Sequence, residues 1–339
     1  MPVVAARRLP LALAAALSLA VPVLAACGGG DAGSAADRVD WSAKTIAKSQ
    51  QGVPLVAILV NSQNVGVGPT RLAFGLLRQD QTLVDGAAVT LRLFRLAPEP
   101  DQRPVVAEAA GTLTLRPVGL VPSNDHIHQD GTVHRHQGER ATMYVANSTL
   151  DRTGWWGAAL DIEVEGRRYE DLRLRFWVRE RTSEPAIGQP AIPSRQRTVA
   201  DAPLEEIDSA RPPNRALHTQ TIAEALTKGR PVVIAFVTPA FCQTRFCGPV
   251  LESVVLPAWQ RYRDRVEFVH VEPFDLRRAR EGQLVPVDAV REWGLLSEPF
   301  IVVTDARGTI TAKFEGIVDL AELTEAIEAA LSGGGSSRR

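Results

Sequence analysis

Two parts of the chain follow different hydrophobic patterns, and this difference constrains the fold more than any other feature of the sequence. From about residue 53 to residue 180, apolar and polar residues alternate, as at Leu160, Ile162 and Val164. Alternation with a period of two is typical of antiparallel strands that bury one face. Several short strands of this kind, separated by Gly, Asp and Pro turns, predict an all-β sandwich.

Residues 217–332 instead combine continuous apolar runs with helical segments. The runs "PVVIAFV" and "VEFVHVE" are typical of strands that are buried on both faces. Asp319 and Glu322 are placed like a capping box at the start of the last helix. The predicted elements are a helix at 221–229, a strand at 231–237, a helix at 249–265 kinked at Pro257, a strand at 266–272, a helix at 287–295, a hairpin at 299–316 and a helix at 319–331.

The sandwich predicted for residues 53–180 resembles an immunoglobulin-like domain in its strand pattern. The two cysteine positions of antibody domains are absent. Residues 181–216 are rich in Pro, Ser, Ala and Arg, which predicts an interdomain linker able to pack along the second domain. Residues 333–339 are predicted to be a disordered tail. The net charge is −1 and no long basic block is present, which argues against nucleic-acid binding.

The first 26 residues are predicted to be a signal peptide, because Arg7 and Arg8 precede a short apolar run. Leu24-Ala25-Ala26-Cys27 resembles the lipobox of bacterial lipoproteins, which implies that Cys27 carries a lipid. We therefore expect a lipid-anchored protein on the extracytoplasmic face of the cell membrane, with a flexible tether at residues 27–52. A plain transmembrane anchor is the alternative for the apolar run.

The other two cysteines, Cys242 and Cys247, lie in "TPAFCQTRFCGP" (238–249), between a predicted strand and a predicted helix. One cysteine pair in an exported protein indicates a disulfide or a dithiol. Residues at this spacing do not face each other on a continuous helix, so residues 243–246 are expected to form a loop or distorted turn. A helix that begins just after Cys247 would stabilise a thiolate, and Arg245 would add positive charge.

With this order of elements, residues 217–332 resemble a thioredoxin fold. The apolar strand that leads into the cysteine pair and Pro299 at the start of a later strand carry the resemblance. It implies a cis-proline at Pro299 and thiol–disulfide exchange with exported proteins that contain cysteines or disulfides, with no cofactor required. We predict Cys242 as the nucleophile and Cys247 as the resolving thiol, although the end of the helix is expected to act more strongly on Cys247.

Three departures from thioredoxin keep an inert fold open as an alternative. The cysteine spacing is four instead of two, Ala235 stands where thioredoxins carry a buried acid, and Phe241 replaces a tryptophan. The pair would then be a stapling disulfide, and the chain a non-enzymatic surface interaction protein. A disulfide that closes so short a loop stabilises little, which favours redox chemistry.

Copper binding is another alternative, because Sco-type copper-delivery proteins have this fold and a C-x3-C-P motif after the same strand. Cys247-Gly248-Pro249 is similar to the end of that motif. Those proteins place a histidine just before the late strand, where this chain has Ser297-Glu298-Pro299. His270 lies within a predicted buried strand and is expected to be a core residue.

Four histidines lie close together in "HIHQDGTVHRH", at His126, His128, His134 and His136. Imidazoles at this density suit copper or zinc, although a solvated hairpin tip explains them equally well. A three-residue turn at 129–131 would place His126 opposite His134 and all four on one face, whereas a two-residue turn would separate the pairs. We predict the three-residue turn and weak Cu(II) or Zn(II) binding, which keeps metallocentre assembly open as a function.

Replacement of Cys27 tests the lipid anchor. Because the lipid would be attached through the Cys27 sulfur, Cys27→Ser is expected to release the protein from membranes or to leave it unprocessed. Membrane fractionation and the mass of the processed chain measure both effects. Unchanged processing together with unchanged membrane attachment would show that Cys27 is not lipidated.

Overall fold

The computed structural model describes residues 41–333 except 81, 97–106, 122–125, 128–132, 135–139 and 245, and it describes only the backbone of 126–127 and 133–134. The predicted signal peptide and Cys27 lie outside the described residues, as do residues 334–339 of the predicted tail. Among the residues that are described, no helix has the length and apolarity needed to cross a membrane.

The described part of residues 55–179 contains one eight-stranded sheet with the order β1-β3-β8-β5-β4-β9-β10-β2, and a separate hairpin formed by β6 and β7. The strands are β1 (Leu55–Leu59), β2 (Val65–Gly66), β3 (Gly68–Arg78), β4 (Ala88–Leu96), β5 (Ala107–Leu120), β6 (His126–Ile127), β7 (Val133–His134), β8 (Ala141–Leu150), β9 (Gly154–Val164) and β10 (Arg167–Arg179).

The long strand β5 connects the two halves of this sheet. Its first part pairs with β4, and its last part, residues 116–120, pairs with β8. Apolar side chains from both halves meet in one core, to which Leu72 and Phe74 of β3 and Leu160 of β9 contribute. The predicted immunoglobulin-like sandwich is therefore not confirmed, because a continuous strand joins halves that such a sandwich keeps apart. Alternation indicates which face of a strand is buried and does not indicate its partner.

The tether predicted for residues 27–52 is wrong in its last part. Trp41 is fully buried and packs against Phe94, and α1 (Ala43–Gln50) follows it with Ser42 as its N-cap. Gly157 makes room for the indole, because a Cβ at Gly157 would lie 2.7 Å from Trp41. Trp41, together with hydrogen bonds between α1 and Arg173 of β10, anchors a segment whose polar composition alone predicts a free chain.

The C-terminal part has the architecture of a thioredoxin fold. Its central strand β11 (Val232–Phe236) pairs in parallel with β12 (Glu267–Val271) and antiparallel with β13 (Phe300–Thr304), and β13 pairs antiparallel with β14 (Ile310–Glu315). Every residue of β11 and β13 is buried. Coverage of both faces explains the continuous apolar runs, and the order of elements along the chain agrees with the resemblance.

The helices of this part agree with the prediction except at two places. They are α2 (Ile222–Leu226), α3 (Cys247–Val250), α4 (Leu256–Tyr262), α5 (Leu276–Arg280), α6 (Asp288–Trp293) and α7 (Leu320–Leu331). The short helix α5, capped by Asp275, was not predicted. In place of a simple kink at Pro257, a π-helical segment (Leu251–Val255) joins α3 to α4, since proline lacks the N–H that a regular helix requires at this point.

Residues 181–216 are ordered along the C-terminal part. Pro190 forms a bridge with Thr309, and the N–H of Ala191 donates to the carbonyl of Gly308 at 2.9 Å. A short 3₁₀-helix (Arg215–His218) crosses the boundary predicted at residue 217. The segment predicted as a linker therefore packs as an integral layer of the C-terminal part.

The two predicted domains share a buried interface. Ala73, Val118 and Met143 of the large sheet belong to the same apolar cluster as Phe314 and Ile317 of the C-terminal part. A bidentate ion pair joins them as well: Arg71 donates to Glu322 at 2.7 and 2.9 Å, and the two side chains are only 8% and 9% exposed. A third bond, 2.7 Å long, runs from Arg71 to the carbonyl of Ile317.

Removal of the arginine is expected to destabilise the protein strongly. Arg71→Ala leaves Glu322 buried without its bidentate partner, and such a loss typically costs about 3–5 kcal/mol of unfolding free energy. Urea denaturation measures the change. The matched control is Arg78→Ala, because the partner of Arg78, Glu165, is 70% exposed; exposed pairs contribute up to about 1 kcal/mol. Equal losses for the two variants would contradict the assigned role of Arg71.

Candidate functional site

The cysteine loop lies between the end of β11 and the first turn of α3. Cys247 is the first residue of α3 and is fully buried, whereas Cys242 lies on the preceding loop and is half-buried. Both are free thiols, and their sulfur atoms are 2.7 Å apart. The loop that the spacing predicts is therefore present. The distance between the two sulfur atoms is only slightly longer than the S–S bond of a disulfide, which is roughly 2.05 Å. Arg245, expected to add positive charge, lies outside the described residues.

Three polar contacts surround the sulfur of Cys242. The backbone N–H of Cys247 donates to it at 3.2 Å, the hydroxyl of Thr244 lies at 3.3 Å, and the thiol of Cys247 lies at 2.7 Å. The expectation that the helix end acts more strongly on Cys247 is wrong. The four-residue spacer folds Cys242 back over the start of the helix, so an N–H of the first turn points at Cys242.

These contacts separate the pKa values of the two thiols. Burial raises the pKa of Cys242, but hydrogen bonds from the Cys247 thiol, from Thr244 and from the Cys247 backbone outweigh burial and lower that pKa to about 7. Burial raises the pKa of Cys247 well above the ordinary value, and the adjacent sulfur of Cys242 and the charge of Glu298 add to this effect. Near neutral pH, Cys242 is therefore substantially ionised while Cys247 keeps its proton.

Glu298 and Pro299 connect the late strand to the cysteine loop. The peptide bond between them is cis, as the resemblance implies. The carboxylate of Glu298 accepts from the N–H of Gln243 at 3.0 Å. Its carbonyl oxygen lies 3.1 Å from the hydroxyl of Thr244, whose single proton is donated either to this oxygen or to the sulfur of Cys242. Burial raises the pKa of the Glu298 carboxyl. Neither Thr244 nor Glu298 was predicted as a site residue, because their contacts depend on how the loop folds onto β13.

A second polar group lies beside the chain that leads into the loop. It consists of Asp208, His218 and His270, which are all buried. His270 is buried in β12 as predicted, and burial lowers its pKa to about 4. Asp208 and His218 come from the predicted linker and from the 3₁₀-helix after it. Burial opposes ionisation of Asp208, but the hydrogen bond from His218 and the nearby His270 lower its pKa to about 2. The sequence contains no local motif that would have grouped the three residues.

The predicted histidine cluster is described only in part. His126 of β6 pairs with His134 of β7, which is the register that the three-residue turn predicts. His128 and His136 lie outside the described residues, as do the side chains of His126 and His134. Metal binding by these four histidines stays a prediction.

No protein-family model matches the chain, and no curated protein matches it. The solved structures that resemble it include a thiol:disulfide interchange protein of the thioredoxin family from Chlorobium tepidum TLS. That protein is 17% identical, and the match covers 34% of this chain and 88% of that chain with a TM-score of 0.25. The strand order of the four-stranded sheet itself gives the C-terminal part a thioredoxin-like fold.

The lowered pKa of Cys242 predicts how its reactivity depends on pH. Because the thiolate is the reactive form, alkylation of Cys242 by iodoacetamide is expected to rise with a midpoint near pH 7, where the pKa lies, and not near 9.0 as for an ordinary thiol. Thr244→Val removes one hydrogen-bond donor and should move the midpoint to higher pH. Mass spectrometry of the modified peptide measures the rate. A remote control, Thr70→Val, should leave the profile unchanged; a midpoint near pH 9 in the unmodified chain would contradict the assignment.

Proposed function

We propose that this protein is a thiol–disulfide oxidoreductase that acts on exported proteins, held by a lipid on Cys27 at the extracytoplasmic face of the cell membrane. The asymmetry of the cysteine pair is the observation that carries the proposal. One thiol, Cys242, is half-buried and has a pKa of about 7, and it lies 2.7 Å from a fully buried thiol with a raised pKa. Exchange chemistry requires one reactive thiolate and a second thiol within reach.

In the reducing direction, the thiolate of Cys242 attacks one sulfur of a substrate disulfide. The substrate S–S bond breaks, a mixed disulfide with Cys242 forms, and the other substrate sulfur leaves as a thiolate. Cys247 then loses its proton, which a departing substrate thiolate takes up, and attacks the sulfur of Cys242. The second substrate sulfur is released, the Cys242–Cys247 disulfide forms, and two electrons have passed to the substrate. The reverse sequence oxidises a substrate dithiol.

The surroundings of Cys247 support this order of events. In the free protein, the adjacent Cys242 sulfur helps to hold the pKa of Cys247 high. A mixed disulfide at Cys242 carries no negative charge, so one cause of the raised pKa disappears when the resolving thiol has to react. Contacts from Glu298 and Thr244 also hold the loop against β13, beside the strand end where a substrate chain would lie.

Two serine variants test the assignment of roles. Cys247→Ser is expected to accumulate mixed disulfides through Cys242, because the resolving step is blocked, whereas Cys242→Ser should accumulate none. Glutathione disulfide serves as a defined substrate, and mass spectrometry locates the adduct. The opposite result would make Cys247 the nucleophile. Adducts on neither variant would support the non-enzymatic alternative.

The reduction potential of the pair provides an independent check on the same proposal. A catalytic pair is expected to have a potential above about −300 mV, whereas stable structural disulfides lie below about that value. Equilibration of the full chain with glutathione or dithiothreitol buffers measures it. The alternative of copper binding or metallocentre assembly uses the histidine hairpin, the cysteine pair or both. Copper titration of Cys242→Ser/Cys247→Ser chains and of chains that lack the four hairpin histidines would test the two sites separately.

A further inference from the structure

The buried cluster of Asp208, His218 and His270 combines one carboxylate with two imidazoles, and we propose that it binds one divalent transition-metal ion, best matched by Zn²⁺. This site is separate from the cysteine pair and from the histidine hairpin, and it does not depend on thiol–disulfide exchange. Its proposed role is structural: the metal would fasten residues 181–216 to β12 beside the cysteine loop.

The distances between the donor atoms suit a small cation. One ligand atom from each of the three residues lies within 4.8 Å of the other two. Nε2 of His218 is 3.1 Å from Oδ2 of Asp208, and Nδ1 of His270 is 3.9 Å from Oδ1 of Asp208. Ligand atoms of a tetrahedral zinc site, with bonds of about 2.0–2.2 Å, are roughly 3.3 Å apart. Small side-chain movements would therefore bring all three atoms to bonding distance from one ion.

His270 has a buried donor atom with no partner. Its Nε2 lies 2.8 Å from the carbonyl of Val237, which can only accept, so Nε2 carries a proton. Its Nδ1 is fully buried and has no hydrogen-bond partner. At 3.9 Å, the Asp208 oxygen is too distant for a hydrogen bond in either protonation state. Such an orphaned atom is costly to bury, and a cation bound to the Nδ1 lone pair would satisfy it.

Hydrogen bonds to backbone groups around the cluster hold two of the three ligand residues, Asp208 and His270, in place. Metal-bound histidines usually donate their second N–H to a carbonyl or carboxylate, and the bond from His270 to Val237 is of this type. The two oxygens of Asp208 accept from the N–H groups of Ala210 at 2.8 Å and Asn214 at 2.9 Å. On binding, the metal would replace the proton through which His218 contacts Asp208.

The chemical types of the three ligands indicate which metals the site would bind, and its position indicates which part of the protein the metal would stabilise. Imidazole and carboxylate together suit Zn²⁺ and neighbouring first-row ions. All three residues are buried, which argues against a catalytic metal with a position open to substrate. The hydroxyl of Ser209, next to Asp208, accepts from the N–H of Ala240 at 3.1 Å. A metal at Asp208 would thus stabilise the segment that positions Cys242.

The test uses the full chain with the other candidate metal ligands removed. Cys27, Cys242 and Cys247 are replaced by serine, and His126, His128, His134 and His136 by asparagine. Because the cluster is buried, the chain is refolded from urea with ZnCl₂ or with a chelator. We expect one Zn²⁺ per chain and a thermal midpoint that rises with the free zinc concentration. Asp208→Asn and His218→Gln should each weaken binding by about 10-fold or more, whereas Asp305→Asn, at another buried acid, should not.

X-ray absorption of a zinc-loaded chain in which only the four hairpin histidines are replaced provides a readout that leaves Asp208, His218 and His270 intact. Nitrogen and oxygen ligands with imidazole scattering support the site, whereas sulfur ligands would place the metal on the cysteines and overturn it. A chain that folds equally well with chelator and retains no stoichiometric zinc also overturns the proposal. So does zinc binding that Asp208→Asn and His218→Gln leave unchanged.

Discussion

Burial of β11 on both faces is the constraint on which the candidate site depends. All five residues of this strand are buried, and it pairs with β12 on one side and β13 on the other. A strand enclosed in this way cannot shift its register without exposing its apolar side chains. The loop that follows its carboxyl end therefore holds Cys242 in a defined position beside the start of β13, where Glu298 contacts the loop.

The four-residue spacer explains why the two thiols differ so strongly. The loop folds back, so the first N–H of α3 points at the sulfur of Cys242 while Cys247 is enclosed by the helix and the apolar core. Donors stabilise one thiolate and burial disfavours the other. Where a thioredoxin carries a buried acid in the strand, this chain has the buried Ala235. The carboxyl that contacts the loop comes instead from Glu298, on the opposite side of the cysteines in sequence.

The large sheet is packed against the thioredoxin-like domain and is linked to it by a buried ion pair. An apolar cluster continues from Met143 to Phe314, and Arg71 reaches across to Glu322 at the first turn of α7. Another buried pair, Lys313 with Glu184 at 2.8 Å, ties the ordered 181–216 segment to β14. The sheet, the segment and the thioredoxin-like domain therefore share their buried surfaces, in contrast to two domains joined by a free linker.

The sequence by itself determined the local elements and the place of the cysteine pair between a strand and a helix. Apolar runs identified the strands that are covered on both faces, alternation identified the half-buried ones, and Asp319 marked the start of α7. These features depend on residues that are near each other in the chain. The cysteine pair and Pro299 were visible for the same reason, because their motifs are short and stand directly beside predicted strands.

Only the tertiary structure decided which distant groups meet. It joined the sheet halves through β5, buried Trp41 against Gly157, and brought Asp208 and His218 to His270. It also directed the helix N–H to Cys242 and not to Cys247. Local sequence patterns indicate whether a residue is buried, but packing and hydrogen bonding across the whole fold determine which residue it contacts. That choice depends on free energies that no short stretch of sequence contains.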